Sequence, residues 1–126
     1  MKLHHAALVC SSLKNADEFY EGILGLKKIK TSRLTWDFAE ELFGVSGECQ
    51  IILYTNENFA VEVFLRPQPS NNPFAHLCLE LKDKKGFVKK CLAKGLEVNQ
   101  VRRGESLIIF VKDYDGNRFE IKEEQA

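Results

Sequence analysis

The chain of 126 residues repeats one order of predicted elements in its two halves, and this repeat limits the possible folds more than any other feature. Alternating and helical apolar patterns in the first half predict a strand, a helix and three strands, at residues 3–10, 11–25, 26–33, 49–56 and 59–66. The second half predicts the same order, at residues 74–81, 82–95, 96–103, 106–113 and 118–124. We therefore predict an α+β fold built from two βαβββ modules, whose mixed sheets surround a cavity.

Residues 67–73, PQPSNNP, separate the two halves, because prolines and asparagines at this density favour a turn or an extended linker. A chain of this length is typical of one domain. We therefore predict a single domain over residues 1–126, with module 1 at 1–66, the linker at 67–73 and module 2 at 74–126. Module 1 also carries an insertion, residues 34–48, that we predict to be a short helix or a lid.

The charge balance excludes several classes of partner. The chain has 18 basic and 18 acidic side chains, so its net charge gives no attraction to nucleic acid or to an anionic membrane surface. No apolar run has the length of a signal-peptide core or a transmembrane helix, which predicts a cytoplasmic protein.

The four cysteines form no CxxC motif and lie in apolar segments, so we predict that they are buried free thiols: Cys10, Cys49, Cys78 and Cys91.

Each half places one histidine in its first strand and one glutamate in its last strand. His5 precedes AALVC and His76 precedes LCLEL, whereas Glu62 and Glu120 have apolar neighbours in FAVEVFLR and NRFEIKEE. Burial of a carboxylate costs several kcal/mol, roughly, unless a cation or hydrogen bonds compensate for it. A lone histidine or glutamate in a strand is usually a satisfied or solvent-facing polar residue, but repetition of the pair favours a shared role. We therefore predict that these four side chains converge.

Two imidazoles and two carboxylates make a mixed nitrogen and oxygen donor set. Such a set suits a divalent ion such as Zn, Ni, Co, Mn or Fe(II), with room left for water. A closed structural zinc site would more often use thiolates, so we predict an open, catalytic metal site held by His5, Glu62, His76 and Glu120. His4 points to the opposite face of the strand from His5 and is predicted to pack or to be exposed.

Two such modules leave sheet edges and apolar surface at their margins, which also predict a homodimer.

Four stretches carry a resemblance to a known family: HHAALVCSSLKNADEFYEGILGLKK, FAVEVFL, FAHLCLEL and FVKDYDGNRFEI. On these stretches the chain resembles the vicinal oxygen chelate superfamily, which includes glyoxalase I, methylmalonyl-CoA epimerase, extradiol dioxygenases and fosfomycin- or bleomycin-resistance proteins. The resemblance implies a glyoxalase-like mixed sheet and a divalent metal. The ligand pattern is most similar to that of glyoxalase I, in which His or Gln, then Glu, His and Glu fall on His5, Glu62, His76 and Glu120.

The resemblance to glyoxalase I, lactoylglutathione lyase, implies a metal-dependent lyase or isomerase that removes the proton α to the carbonyl of a small carbonyl or thioester substrate. Glu120 is then the base, and Glu62 is a ligand and a candidate for proton return. The alternatives are an acyl-CoA epimerase, a dioxygenase-type enzyme and a non-catalytic protein of small-molecule binding or antibiotic resistance. Epimerases usually carry Gln where Glu62 stands, and dioxygenases generally use two His and one Glu, so the ligand set favours glyoxalase chemistry.

Two positions depart from bacterial glyoxalase I. An arginine that contacts glutathione there is replaced by Val9, and an asparagine four residues after the first ligand glutamate is replaced by Arg66. These departures argue against glutathione as co-substrate. The insertion, with Trp36 and Phe43, resembles the region that covers the site in small-substrate members, although a packed surface helix would give the same pattern.

Overall fold

The computed structural model describes residues 1–67 and 72–125, which divide into two compact units, Met1–Ser70 and Asn71–Ala126. Most of the predicted linker lies outside the described residues. That both units belong to one domain stays a prediction. Among the described helices, none is long and apolar enough to cross a membrane.

The first unit is a four-stranded mixed sheet with two helical segments. Its elements are β1 (Ala6–Cys10), α1 (Leu13–Ala16, continuing as a π-helix over Asp17–Ile23), β2 (Lys27–Leu34), α2 (Trp36–Phe43), β3 (Cys49–Thr55) and β4 (Ala60–Leu65). The strand order is β1-β4-β3-β2, with β1 parallel to β4 and the other pairs antiparallel. The parallel pair brings the start of the module beside its end.

The helix α1 follows from capping and from an apolar stripe. Ser12 caps it by accepting a hydrogen bond from the backbone N–H of Asn15 at 3.1 Å. Phe19, Tyr20 and Ile23 are buried on its packed side, so removal of apolar surface from water holds the helix on the sheet. Gly25 ends it with a φ of 74°, a conformation that favours glycine.

A buried hydroxyl and a carboxylate fix α1 to the strands. The phenol of Tyr54, on β3, donates to Asp17 Oδ1 at 2.8 Å, and Lys28 Nζ, on β2, donates to Asp17 Oδ2 at 3.0 Å. Tyr54 is fully buried, and burial followed by the Asp17 contact raises the pKa of its phenol. The hydroxyl is therefore a permanent donor that needs this acceptor.

The second unit has the same sheet order without the inserted helix. Its elements are β5 (His76–Leu81), α3 (Lys84–Ala93), β6 (Val98–Arg103), β7 (Ser106–Lys112) and β8 (Arg118–Glu123). The order is β5-β8-β7-β6, with β5 parallel to β8 and the remaining pairs antiparallel. Asp83 caps α3 by accepting from the backbone N–H of Gly86 at 2.9 Å. The core consists of apolar side chains that alternate along the strands, among them Val111, Phe119 and Ile121.

The turn between β7 and β8 is organised by an aspartate that precedes it. The carboxylate of Asp113 accepts hydrogen bonds from the backbone N–H groups of Asp115 and Asn117, at 2.9 and 2.8 Å, and from the Asn117 amide at 2.7 Å. Gly116 has a φ of 88°, and among the described residues only glycines have positive φ. The side chain of Asp113, rather than a second positive-φ residue, therefore shapes this turn.

The predicted α+β fold of βαβββ modules is confirmed, since both units are four-stranded mixed sheets with few helices. The four cysteines are free thiols. Cys10, Cys49 and Cys91 are buried as predicted, but Cys78 is exposed. The reason is the alternation of β5, which exposes His76, Cys78 and Glu80 on one face.

Candidate metal centre

In the first unit the fold brings His5 and Glu62 side by side. Glu62 lies opposite Ala7 in the parallel pair of β1 and β4, and His5 stands two residues before Ala7, just ahead of β1. His5 Nε2 lies 3.7 Å from Glu62 Oε1. Both side chains are about two-thirds buried, with exposed fractions of 35% and 28%. Glu62 is thus a half-buried acid whose nearest charged or ionisable partner is an imidazole.

The second unit repeats this arrangement with His76 and Glu120. Glu120 lies opposite Cys78 in the parallel pair of β5 and β8, and His76 again stands two residues before that partner. His76 Nε2 lies 3.6 Å from Glu120 Oε1, and the exposed fractions of the two side chains are 39% and 23%. The same register offset and nearly the same separation therefore occur in both units.

The other ring nitrogen of each histidine has a local contact. His76 Nδ1 lies 2.9 Å from the carbonyl oxygen of Phe74, and because a carbonyl only accepts, Nδ1 carries the proton. His5 Nδ1 lies 2.8 Å from His4 Nδ1, so one of these two nitrogens donates to the other. The ring of His76 also packs edge-on against Phe110, with centroids 5.2 Å apart. In each unit, Nε2 is the nitrogen presented to the glutamate.

His4 is a residue whose role the sequence did not reveal. Its predicted exposure is correct, but it contacts His5 through Nδ1 and through an edge-to-face ring packing with centroids 5.1 Å apart. Neighbouring residues of a strand point to opposite faces, which would have kept the two rings apart. His4 and His5 meet because both precede the first residue of β1. Partners of this kind orient a ligating imidazole.

The donors of each pair fit a small divalent ion. Two ligand atoms about 2.1 Å from such an ion are separated by roughly 3.0 to 3.4 Å at right-angle to tetrahedral geometry. The observed separations of 3.7 and 3.6 Å need to close by only a few tenths of an ångström. In residues 1–67 and 72–125, no group of three or more His, Cys, Asp or Glu side chains is arranged to hold a metal ion. Each unit supplies two donors, and the four-ligand set stays a prediction.

The nearest thiol to the second pair is that of Cys78, which lies opposite Glu120 on the neighbouring strand. Partial burial, followed by the charges of Glu120 and Glu80, raises the pKa of this thiol. Since thiolates rather than thiols bind metals and act as nucleophiles, Cys78 is poorly suited to either role. The chemistry of this pair therefore belongs to its imidazole and carboxylate.

The insertion in the first unit forms the helix α2 beside the same sheet. Ala39 is buried against Leu34 and Cys49, and Phe43 packs edge-on against Phe64 of β4, with ring centroids 5.5 Å apart. The indole of Trp36 donates to Glu40 within the helix at 2.9 Å. Four apolar side chains of the helix remain more than half exposed: Trp36, Phe38, Leu42 and Phe43. The helix thus packs with one side and leaves the other uncovered in its own unit.

Comparisons with known proteins agree with this architecture. The family described as the Glyoxalase/Bleomycin resistance protein/Dioxygenase superfamily matches residues 2–121. A lactoylglutathione lyase from Salmonella typhimurium is 27% identical over 130 aligned positions, which cover 98% of this chain and 93% of that protein. These matches extend over nearly the whole chain.

Solved structures share the fold at lower identity. A glyoxalase family protein from Bacillus cereus superposes with a TM-score of 0.77 at 17% identity, covering 100% of this chain and 95% of that one. The fosfomycin resistance protein FosX from Listeria monocytogenes, in a complex with Mn(II) and sulfate, gives a TM-score of 0.74 at 16% identity, covering 98% and 90%. With the family match over residues 2–121, the chain belongs to the glyoxalase/bleomycin resistance protein/dioxygenase superfamily.

Proposed function

We propose that the protein is a metal-dependent lyase or isomerase of the glyoxalase I type, acting on a small carbonyl or thioester substrate. The observation that carries the proposal is the repeated His–Glu pair. Each pair has the same register offset, and the Nε2–Oε1 separations are 3.7 and 3.6 Å. In both units a partly buried glutamate faces the Nε2 atom of a histidine. A cation bound between such groups explains this repetition better than two unrelated surface contacts do.

In this proposal His5, Glu62, His76 and Glu120 are the ligands of one divalent ion, chosen from Zn, Ni, Co, Mn and Fe. Their donor atoms are two imidazole nitrogens and two carboxylate groups, which are ligands accepted by all five ions. The likeness to a lactoylglutathione lyase and to a fosfomycin resistance protein crystallised with Mn(II) supports a divalent metal. The Nδ1 contacts of both histidines support Nε2 as the ligating atom.

When bound, the ion would act as a Lewis acid toward the substrate carbonyl. Glu120 accepts the proton from the carbon α to that carbonyl, and the electron pair of the broken C–H bond moves toward the carbonyl oxygen. Glu120 then passes this proton to Glu62, which delivers it to the adjacent carbon, while the hydroxyl proton shifts between the two oxygens, so the isomerisation conserves all atoms. Each glutamate lies beside a histidine that, in this proposal, binds the same ion. Phe110, the partner of Glu120 on β7, packs against His76 and supplies apolar surface beside the base.

The direct test is reconstitution of metal-free protein with each of the five ions, followed by assays on hemithioacetals and on 2-substituted acyl-CoA esters. Turnover of either class that depends on the added ion supports the proposal, and the preferred class separates a lyase from an epimerase. A protein that binds no divalent ion by elemental analysis would contradict it. Catechol cleavage after anaerobic loading with iron would show that the enzyme is of the dioxygenase type instead.

We also propose that the protein is a homodimer. Trp36, Phe38 and Leu42 of α2 have exposed fractions of 53%, 57% and 67%, more apolar surface than a single helix usually leaves to water. Sedimentation equilibrium of the purified chain tests this proposal. A mass of one chain at micromolar concentration would contradict it.

A further inference from the structure

A small cavity lies on the first unit, along β4, which carries Glu62, and β1, which His5 precedes. It has a volume of about 240 Å³, and its wall is apolar except for one arginine. Val9 of β1, Phe64 of β4, and Phe43 and Val45 at the end of α2 form much of the wall, and Arg66 completes it. Because Val9 and Phe64 are partners in the parallel pair, the cavity spans the β1–β4 seam.

Arg66 is unusual among the charged residues in this part of the chain. Its backbone N–H donates to the carbonyl of Cys10 at 2.9 Å, and its Nη2 donates to the carbonyl of Ser46 at 3.1 Å, so the side chain is held in place. Its Nη1 is buried and has no hydrogen-bond partner in residues 1–67 and 72–125. A guanidinium keeps its charge at every relevant pH, so a buried N–H of this kind lacks an acceptor that a ligand can supply.

No side chain described near Arg66 neutralises it. The closest candidate is Cys49, a buried thiol that is hydrogen-bonded to Arg66, and burial raises its pKa more than the charge and the hydrogen bond of Arg66 lower it. The thiol is therefore neutral at physiological pH. Glu48, its sequence neighbour, pairs with Arg33 at 2.8 Å instead. The cavity thus has an apolar wall and one uncompensated positive charge.

We propose that this cavity binds the apolar chain of a small ligand whose anionic oxygen group, a carboxylate or a phosphonate, pairs with Arg66. The volume corresponds to about eight non-hydrogen atoms at roughly 30 Å³ each, the size of hexanoate. An apolar wall with one charged anchor is the usual composition of a small-molecule site. The guanidinium matches carboxylate and phosphonate oxygens equally well in charge and geometry.

The position of the cavity connects it with the His–Glu pair. Glu62, Phe64 and position 66 alternate along β4 and its extension, so they share one face of the sheet. At about 3.3 Å per residue, Arg66 stands roughly 13 Å along the chain from Glu62. This inference rests on the proposed function, in which the reacting carbonyl of the substrate lies at Glu62. The anionic end of the substrate then lies near Arg66. The substrate class is then a carbonyl compound with a short apolar body and a terminal acid.

The test is calorimetric binding of three probes of similar size to metal-free protein: hexanoate, butylphosphonate and hexan-1-ol. We expect at least one of the two anions to bind about tenfold or more tightly than the alcohol, and the better anion identifies the head group. Arg66→Met should remove this preference, whereas Arg33→Met, which changes an exposed arginine outside the cavity, should keep it. Val9→Phe should weaken all three probes by filling the space. Equal affinity of the alcohol and both anions, or unchanged anion binding in Arg66→Met, would overturn the proposal.

The experiment separates this inference from the proposed function. Binding is measured without metal, and it should persist in His5→Ala, which disrupts one His–Glu pair but leaves the cavity wall intact. Anion binding in a protein that takes up no metal would contradict the proposed function and leave the cavity proposal intact. Metal-dependent turnover without anion binding would contradict the cavity proposal and leave the proposed function intact. If Arg66→Met does not fold, Val9→Phe and the probe comparison on the unchanged chain still decide the result.

Discussion

The Nδ1 atom of His76 donates to the carbonyl oxygen of Phe74 at 2.9 Å, and this bond leaves Nε2 facing Glu120. The histidine is thereby fixed in one tautomer, with its lone pair available on the side of the carboxylate. In the other unit, the His4 ring contacts the corresponding nitrogen, Nδ1 of His5, at 2.8 Å. Both imidazoles are thus orientated before any cation arrives, which lowers the entropic cost of binding one.

Replacement of either histidine should weaken metal binding strongly. We expect His5→Ala and His76→Ala each to lower the affinity for a divalent ion by more than about 100-fold, since each removes a direct donor. His4→Ala should lower it by less, about 10- to 100-fold, because His4 only orients His5. Competition with a chromophoric chelator measures these affinities. Equal losses in all three variants would contradict the assignment of His5 as a ligand.

Glu120 should matter for turnover more than for metal content. In Glu120→Gln we expect turnover to fall by about 100- to 10,000-fold, because the amide cannot accept the proton, while the metal is retained through the three other ligands. The matched control is Glu105→Gln, a change in the exposed β6–β7 turn that should leave turnover unchanged. Rates on the substrate class identified above, together with metal content, decide the outcome. Full activity in Glu120→Gln would exclude its role as base.

The Asp17 carboxylate should contribute measurably to stability. Asp17→Ala leaves the buried hydroxyl of Tyr54 without its acceptor, so we expect the free energy of unfolding to fall by about 1–3 kcal/mol. Lys28→Met removes only the partly exposed ion pair with Asp17 and should cost about 0–1 kcal/mol. Urea unfolding of the three proteins measures the differences. A larger loss in Lys28→Met than in Asp17→Ala would show that the ion pair matters more than the phenol.

Cys91 should make the protein less stable at alkaline pH. The thiol is fully buried, and burial raises its pKa to about 11, with a smaller opposing effect from Lys90. An unfolded thiol titrates near about 8.5, so the folded state holds the proton more tightly between these values. The stabilisation is complete below about pH 8.5 and is lost as the pH rises toward 11, by about 3 kcal/mol in total.

The measurement is the free energy of unfolding in urea from pH 7.5 to 10.5, for the unchanged chain and for Cys91→Ala. The variant should be less stable at neutral pH because a cavity replaces the sulfur, but its stability should fall less steeply with pH. Cys78→Ala serves as a comparison and should change the slope less than Cys91→Ala, since Cys78 is exposed and Cys91 is buried. Parallel slopes for Cys91→Ala and the unchanged chain would contradict the buried-thiol explanation.

The sequence predicted the sheet well because alternation and turn residues are local signals. Every predicted strand is present, and the repeat of element order correctly gave two equivalent sheets. The pairing of each histidine with its glutamate could be anticipated from the duplication, although both acids prove only partly buried. Local signals could also place the helix α2, whose end is set by Gly44 at a φ of 65°.

Contacts between residues distant in sequence could not be predicted in the same way. The Arg66 side chain reaches the carbonyl of Ser46 twenty positions earlier, and only the path of the loop after α2 brings them together. The turn after β7 depends on the Asp113 side chain, which accepts from the backbone N–H groups of Asp115 and Asn117. Such hydrogen bonds depend on the path of the backbone, which neither the alternation of apolar residues nor the composition predicts.

The helix α2 has no counterpart between β6 and β7 of the second unit. A duplicated gene gives two equal copies, and an insertion into one copy is the simplest way to make them unequal. In this protein the enlarged copy carries the cavity and its arginine, and both copies carry a His–Glu pair. Selection for new ligands can therefore act on the enlarged copy alone, while the structure of the other copy stays unchanged.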